Sequence, residues 1–394
     1  MGRDSWPEIV KGDGKRRIGR LPVLFIGMAC LVSGVWGGLT RLPLNLPLPG
    51  GNANWLTFHG PLMVCGFLGT VIGLERAVGL RGWWAYVAPL LTGAGAMMLM
   101  MGGVGHTPIA LITLGSIGFW MVTLWVVRLQ RATFTVVMSA GALAWAVGNI
   151  LWRQDWPLNR VVPWWIAFLA LTIVGERLDL SRFQKPSKWS SPLLFIALGL
   201  FAGGVVGTSL QQMPGERLTG IGLVALAAWL WRFDLARRTI HQPGLQRFMA
   251  ACLLAGYIWL GIGGVLMAVF SPLESGLRYD AVLHSFFLGF VFSMIFGHAP
   301  VIFAAVLVVQ PRFRPMFYSH VVLLHLALMT RVGSDLARWA AGRQWGGILG
   351  ALAIALFLTN TVVSLAFPSR PKSGPASGKK GNAQVAGARP GLGS

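Results

Sequence analysis

The sequence predicts an all-α bundle of about twelve membrane-crossing helices. Three observations carry that expectation. Of 394 residues 55% are hydrophobic and only 11% charged, long apolar runs recur through the chain, and basic residues crowd into alternate gaps between the runs. Soluble proteins carry roughly twice that charged fraction, and a soluble domain leaves a large polar surface to water. A run of about 20 apolar residues covers the hydrocarbon of a bilayer.

Twelve stretches qualify: 21–40, 55–74, 84–103, 108–127, 134–152, 162–181, 192–210, 217–235, 247–270, 280–308, 317–336 and 345–367. With the N-terminus inside and strict alternation, the outer loops hold eight basic residues: Arg41, Arg153, Arg160, Arg217, Arg278, Arg331, Arg338 and Arg343. The other 25 of the 33 Lys and Arg fall on the inner side. This asymmetry fixes an even number of spans and puts both termini in the cytoplasm. Trp55, Trp83, Trp84, Trp152, Trp164, Trp165 and Trp345 sit near span ends, as an interfacial belt requires. The implied organisation is a basic cytoplasmic tail at 1–20, a transmembrane domain at 21–367 and a disordered basic cytoplasmic tail at 368–394, rich in Gly, Pro, Ser and Lys. The expected location is a bacterial cytoplasmic (inner) membrane.

The formal charge of +21 raises nucleic acid as a partner. Its placement in gaps and tails reads instead as a topology signal, so lipid is the expected partner and nucleic acid is not. Cys30, Cys65 and Cys252 lie inside apolar runs with no C-x-x-C, which makes them free, buried thiols. The first run is too long for a signal-peptide core and lacks an A-x-A site, so it is a retained helix. No phosphate-binding loop, nucleophile elbow or H-E-x-x-H occurs.

Ionisable groups inside a membrane are costly and therefore mark function by default. His59, His284, His298, His320 and His325 fall within or at the edge of spans, whereas His106 and His241 fall in loops. His59 and His284 each lie about four residues into a span from the outer side, so their imidazoles reach similar depth and could ligate one haem iron or a copper ion. His284 and His298 are 14 residues apart on one helix, within about 40° of the same face, and roughly 21 Å apart along the axis. That spacing suits two stacked sites, with His325 on the next span as partner for His298. His320 points about 140° away from His325. Each histidine could instead bond a neighbouring helix or line a polar cavity.

Glu75-Arg76 and Glu176-Arg177 sit at inner helix ends. They read as interfacial ion pairs, as a proton entry point, or as arginines that clamp haem propionates. Spans 2, 6 and 10 share a Gly followed by a polar residue near the inner end: Gly73 with Glu75, Gly175 with Glu176, Gly297 with His298. Three units of four helices would fit that spacing.

Phe58-His59-Gly60-Pro61-Leu62-Met63, and His284-Ser285-Phe286-Phe287-Leu288-Gly289-Phe290 with Met294 and His298, resemble the NnrS family. Those are twelve-helix, haem- and copper-containing bacterial membrane proteins linked to denitrification and nitric oxide stress. That family is similar in layout to the catalytic subunit of haem-copper oxidases, in which helices 2 and 10 carry the low-spin haem ligands. The resemblance maps those ligands onto His59 and His284 and implies b-type haem or copper as cofactor, with a redox partner protein. It departs from the oxidases where they bind copper. Span 6 has Glu176 and no histidine, span 7 has none, and span 10 has no H-x-H. An oxygen-reducing centre is therefore not implied.

Three readings follow. One is a haem- or copper-binding protein that moves electrons or handles nitric oxide, in which Gly60, Gly66 and Gly289 allow a macrocycle or helix to approach closely. The second is a twelve-helix secondary transporter, supported by a faint echo of the major facilitator signature over 73–81. The third is an assembly or scaffold subunit whose histidines only pack.

Overall fold

The computed structural model describes residues 14–80, 82–182, 187–307 and 313–366. The first 13 residues, Arg81, the basic loop at 183–186, Arg312 and the tail expected to be disordered lie outside the described residues. Among the described residues there is no strand.

The long helices follow one another through the chain: α1 (Gly14–Thr40), α2 (His59–Leu80), α3 (Trp83–Met100), α4 (His106–Leu129), α5 (Thr133–Arg153), α6 (Leu158–Ser181), α7 (Ser190–Leu210), α8 (Gln212–Phe233), α9 (Leu245–Phe270), α10 (Leu277–Leu307), α11 (Phe317–Ala337) and α12 (Ala340–Ala366). Ten of these are long and apolar enough to cross a membrane. The other two, α8 and α11, carry Glu216 with Arg217, and Arg331 with Asp335. Each helix outruns its apolar core at one or both ends. α2, for example, continues through Glu75-Arg76 to Leu80, because a helix need not stop where the apolar stretch does.

Sequential helices pack as antiparallel neighbours, as short connections dictate. The chain then returns on itself: α12 packs on α1, and α10 packs on α1 and α2. Outward faces are apolar, with Phe25, Val32, Met121, Ile196, Val269 and Met329 all exposed. Two segments depart from regular α geometry. Leu62–Gly69 in α2 and Ser285–Phe292 in α10 form wider π turns. Such turns are rare and often occur at functional sites. Each follows a histidine of the expected site closely.

Between α2, α4, α5 and α6 a buried polar knot fixes the packing. The Asn149 side-chain carbonyl accepts from Trp165 Nε1 at 3.0 Å and from the Cys65 thiol at 3.5 Å, and Trp145 Nε1 reaches Cys65 Sγ at 3.5 Å. Thr113 Oγ1 donates to the Asn149 main-chain carbonyl at 3.1 Å. Trp145 stacks on Phe168 at 4.7 Å and lies where a side chain on Gly69 would be, so only glycine admits it. Cys30, Cys65 and Cys252 are free and buried.

Removal of the Asn149 amide leaves the Trp165 indole without an acceptor in an apolar interior. Asn149→Ala is expected to lower stability by about 1–3 kcal/mol, and Trp165→Phe added to it to recover part of that loss, because the indole donor is then gone and only the weak Cys65 thiol donor lacks a partner. Thermal unfolding of the detergent-solubilised protein, followed by tryptophan fluorescence, measures both.

Candidate functional site

The bundle interior holds two cavities. The upper one lies at the end where α2 and α10 begin and has a volume of about 610 Å³. The lower one, further along the same two helices, has about 100 Å³. Leu68 and Phe292 border the upper cavity, and Leu68, Phe67 and Val291 border the lower, so an apolar layer separates them. α2, α6 and α10, the helices four apart in sequence, line both cavities, with α1 and α12 beside them.

His59 and His284 both line the upper cavity. Each ring is anchored by its other edge. His59 Nδ1 bonds the Gly34 carbonyl on α1, and His284 Nδ1 bonds the Asp280 carbonyl one turn back, at 2.9 Å. A carbonyl can only accept, so Nδ1 carries the proton on both rings and Nε2 keeps its lone pair for the cavity. That is the tautomer and anchoring that metal-bound imidazoles show. The proximity of α1 to the His59 ring requires Gly38, since a Cβ there would lie 2.8 Å from His59 Cε1.

Charge in the upper cavity is arranged at one side. Asp280 takes two hydrogen bonds from Arg331, at 2.9 and 3.1 Å, while Arg343 stands 3.6 Å from Asp280 and 3.0 Å from Asp335. Arg41 completes a set of three guanidinium groups on the lining. Sequence reasoning missed these three residues, treating them as outer-loop charge. Their signal was the presence of Asp280 one turn before His284, a buried acid that needs cations beside it. Gly60 also lines this cavity, with open space where its side chain would be.

The remaining candidates distribute as follows. His298, Glu75 and Glu176 line the lower cavity. His298 Nδ1 bonds the Met294 carbonyl at 2.8 Å, and its Nε2 is buried without a partner. Arg76 pairs with Glu176 at 2.6 Å, linking α2 to α6, and Arg177 is buried behind it. His325 does not line the lower cavity. Its Nδ1 accepts from Trp259 Nε1 at 3.0 Å, which places its own proton on Nε2. The Trp259 ring fills the space beside Gly289, where a Cβ would come within 2.5 Å of it. His320 lies apart from both cavities in a box of Phe248, Phe296, Phe317 and Phe357, with Asn360 at 3.0 Å. The structure thus places His59 and His284 on one lining and His298, Glu75 and Glu176 on the other, with His325 on neither. Among the described residues, no group of three or more His, Cys, Asp or Glu could hold a metal ion by itself.

Pro300 does not end α10. The helix runs through it from Ser293 to Leu307.

Arg331 is the main counter-charge of a largely buried carboxylate. Arg331→Leu is expected to destabilise the protein by up to roughly 3 kcal/mol, the low end of the cost of breaking a buried ion pair, because Arg343 at 3.6 Å remains beside Asp280. Joint replacement by Asp280→Asn and Arg331→Leu should cost less than the single change. Melting temperatures in matched detergent give both numbers.

No curated protein and no solved structure matches the chain. A family model described as a domain of unknown function (DUF8744) matches residues 20–366, most of the length, and the chain belongs to that family.

Proposed function

We propose that this chain is a multi-pass protein of the bacterial cytoplasmic membrane, with twelve spans and both termini cytoplasmic, that binds haem between His59 and His284 in the upper cavity. One observation carries the reading: two imidazoles from different helices line one large cavity, each with Nδ1 tied to a main-chain carbonyl, which leaves Nε2 as the ring nitrogen with a lone pair. The resemblance of these two helices to the NnrS family and to the oxidases, and the convergence of α2, α6 and α10, agree with it.

The cavity suits that group in three respects. Its volume falls in the range of cofactor pockets, roughly 300–1,000 Å³. Its walls are apolar side chains such as Val64, Leu283, Phe287 and Ile354, with open space beside Gly60. Arg41, Arg331 and Arg343 offer the planar donors that pair with carboxylates such as propionates. Copper alone fits less well. It would want a third soft donor, for which Met63 is the only thioether on the lining, and an ion does not need a volume of this size.

Haem held there would supply a one-electron couple, tuned by its axial ligands and its burial. The chain's own residues set the conditions. The Gly34 and Asp280 carbonyls hold the two imidazoles in the ligating tautomer, the arginines balance anionic charge, and the apolar walls exclude water. His59 and His284 would hold the group, and a one-electron couple there would serve electron transfer to a redox partner protein. A second reading, transport of a small anion, draws on the same arginines. It gives no account of the paired histidines.

Protein purified with haem supplied during expression is expected to be red, with a sharp absorbance band at the blue end of the visible spectrum. His59→Ala or His284→Ala should abolish that band, and Gly38→Ala should weaken it by forcing the His59 ring aside. His320→Ala and His325→Ala should leave it. Colourless protein, or a band indifferent to both cavity histidines, would refute the reading.

A further inference from the structure

The lower half of the bundle contains more polar atoms than partners for them. His298 Nε2, Thr172 Oγ1, the Tyr257 hydroxyl, Asp234 Oδ2, and Arg177 Nε and Nη2 are all buried with no hydrogen-bond partner in the protein. They come from α6, the end of α8, α9 and α10. Buried polar groups in folded proteins are bonded to protein or to ordered water, and exceptions are few. Six such atoms in one region point to water.

Their placement is continuous. Asp234 closes the lower end of α8, where its Oδ1 accepts from the Ala236 amide at 2.7 Å and its Oδ2 is left over. The Tyr257 hydroxyl lies within hydrogen-bonding reach of Asp234 and Arg177, but neither contact is well aligned. His298 sits within the field of Arg177, Glu176 and Asp234. His298 and Thr172 then line the lower cavity together with Glu75 and Glu176. At about 30 Å³ per molecule, the cavity's 100 Å³ accommodates roughly three waters. Glu176 is held by Arg76, whereas Glu75 has no hydrogen-bond or ion-pair partner among the described residues. The rest of the lining is apolar on every helix, as at Met28, Val71, Ile173, Ile295 and Phe357, so water in it is held at Glu75, Thr172, Glu176 and His298.

We propose that the lower cavity is a hydrated proton-exchange chamber in which Glu75 is the acceptor, fed from the lower end of the bundle past Asp234, Tyr257 and Arg177. A proton arriving as hydronium leaves water behind and converts the Glu75 carboxylate to the neutral acid. Release reverses the step, and no electron moves. His298, with a free Nε2 lone pair, is the relay between the inlet and the carboxylate. The inlet opens on the end that the charge asymmetry assigns to the cytoplasm. The proposal stands whether or not the upper cavity binds haem.

Infrared difference spectroscopy on the full chain in lipid nanodiscs tests it. On acidification the wild type should show, promptly, a protonated-carboxyl band that shifts in heavy water. Glu75→Gln should remove that band and Glu176→Gln should keep it. Asp234→Asn and Tyr257→Phe should keep the band but slow its appearance by roughly a hundredfold, the low end of what a positioned proton-transfer group contributes. Tyr257→Phe preserves the ring's packing, and near-ultraviolet circular dichroism checks the fold of each variant. Absence of the band in the wild type, its persistence in Glu75→Gln, or unchanged rates in both inlet variants would overturn the proposal.

Discussion

An ionisable group in an apolar bundle costs several kcal/mol unless it finds a partner, a cavity or water. That penalty organises this structure. The outward faces of the helices are Leu, Val, Phe and Met, and the buried Asp, Glu, Arg and His residues turn to the interior. There they gather in the two cavities and their margins, and in a few isolated pairs such as Asn360 with His320. The Asn149 knot obeys the same rule at the level of neutral groups, with one amide carbonyl serving an indole and a thiol from different helices.

The convergence of α2, α6 and α10 follows from where those helices keep their polar residues. Each places a polar group toward one cavity or both: His59 and Glu75, Asn159 and Glu176, His284 and His298. A regular helix advances its faces by about 100° per residue, which on α10 already puts His284 and His298 near one face, whereas the 16 residues from His59 to Glu75 on α2 would turn them about 160° apart. The wider turn over 62–69 alters that count on α2.

Much of this was legible in the sequence, and the limits have physical causes. Apolar runs located the helices to within a few residues, because hydropathy responds directly to the cost of polar backbone and side chains in an apolar medium. Helix ends were less legible: α2 and α8 extend through charged residues that composition alone assigns to loops. Equal depth is legible because it depends only on counting, and His59 and His284 line one cavity. Azimuth does not, and so His325, placed at a depth comparable to His298, turns instead to Trp259 on α9. The arginines of the upper cavity escaped notice for a related reason. Arg331 and Arg343 lie near helix ends, and nothing in a linear count distinguishes a guanidinium that points to solvent from one that folds back onto Asp280.

The two cavities differ in sign, and that difference bears on what each can hold. The upper lining has three guanidinium groups against the carboxylates of Asp280 and Glu274. Asp280 is committed to Arg331 and Asp335 to Arg343, which leaves Arg41, among the described residues, as the lining guanidinium without a carboxylate bonded to it and so available to an anionic group. The lower lining has two carboxylates, with only Arg76 bonded to one of them. A negative field favours a proton and disfavours an anion. Because Leu68 and the Phe67 and Phe292 rings close the space between, neither field is shorted by a shared water column. At low effective dielectric, charges in adjacent compartments still interact appreciably. Any change of charge in the upper cavity therefore alters the affinity of Glu75 for a proton below it, without a single atom crossing the aromatic layer.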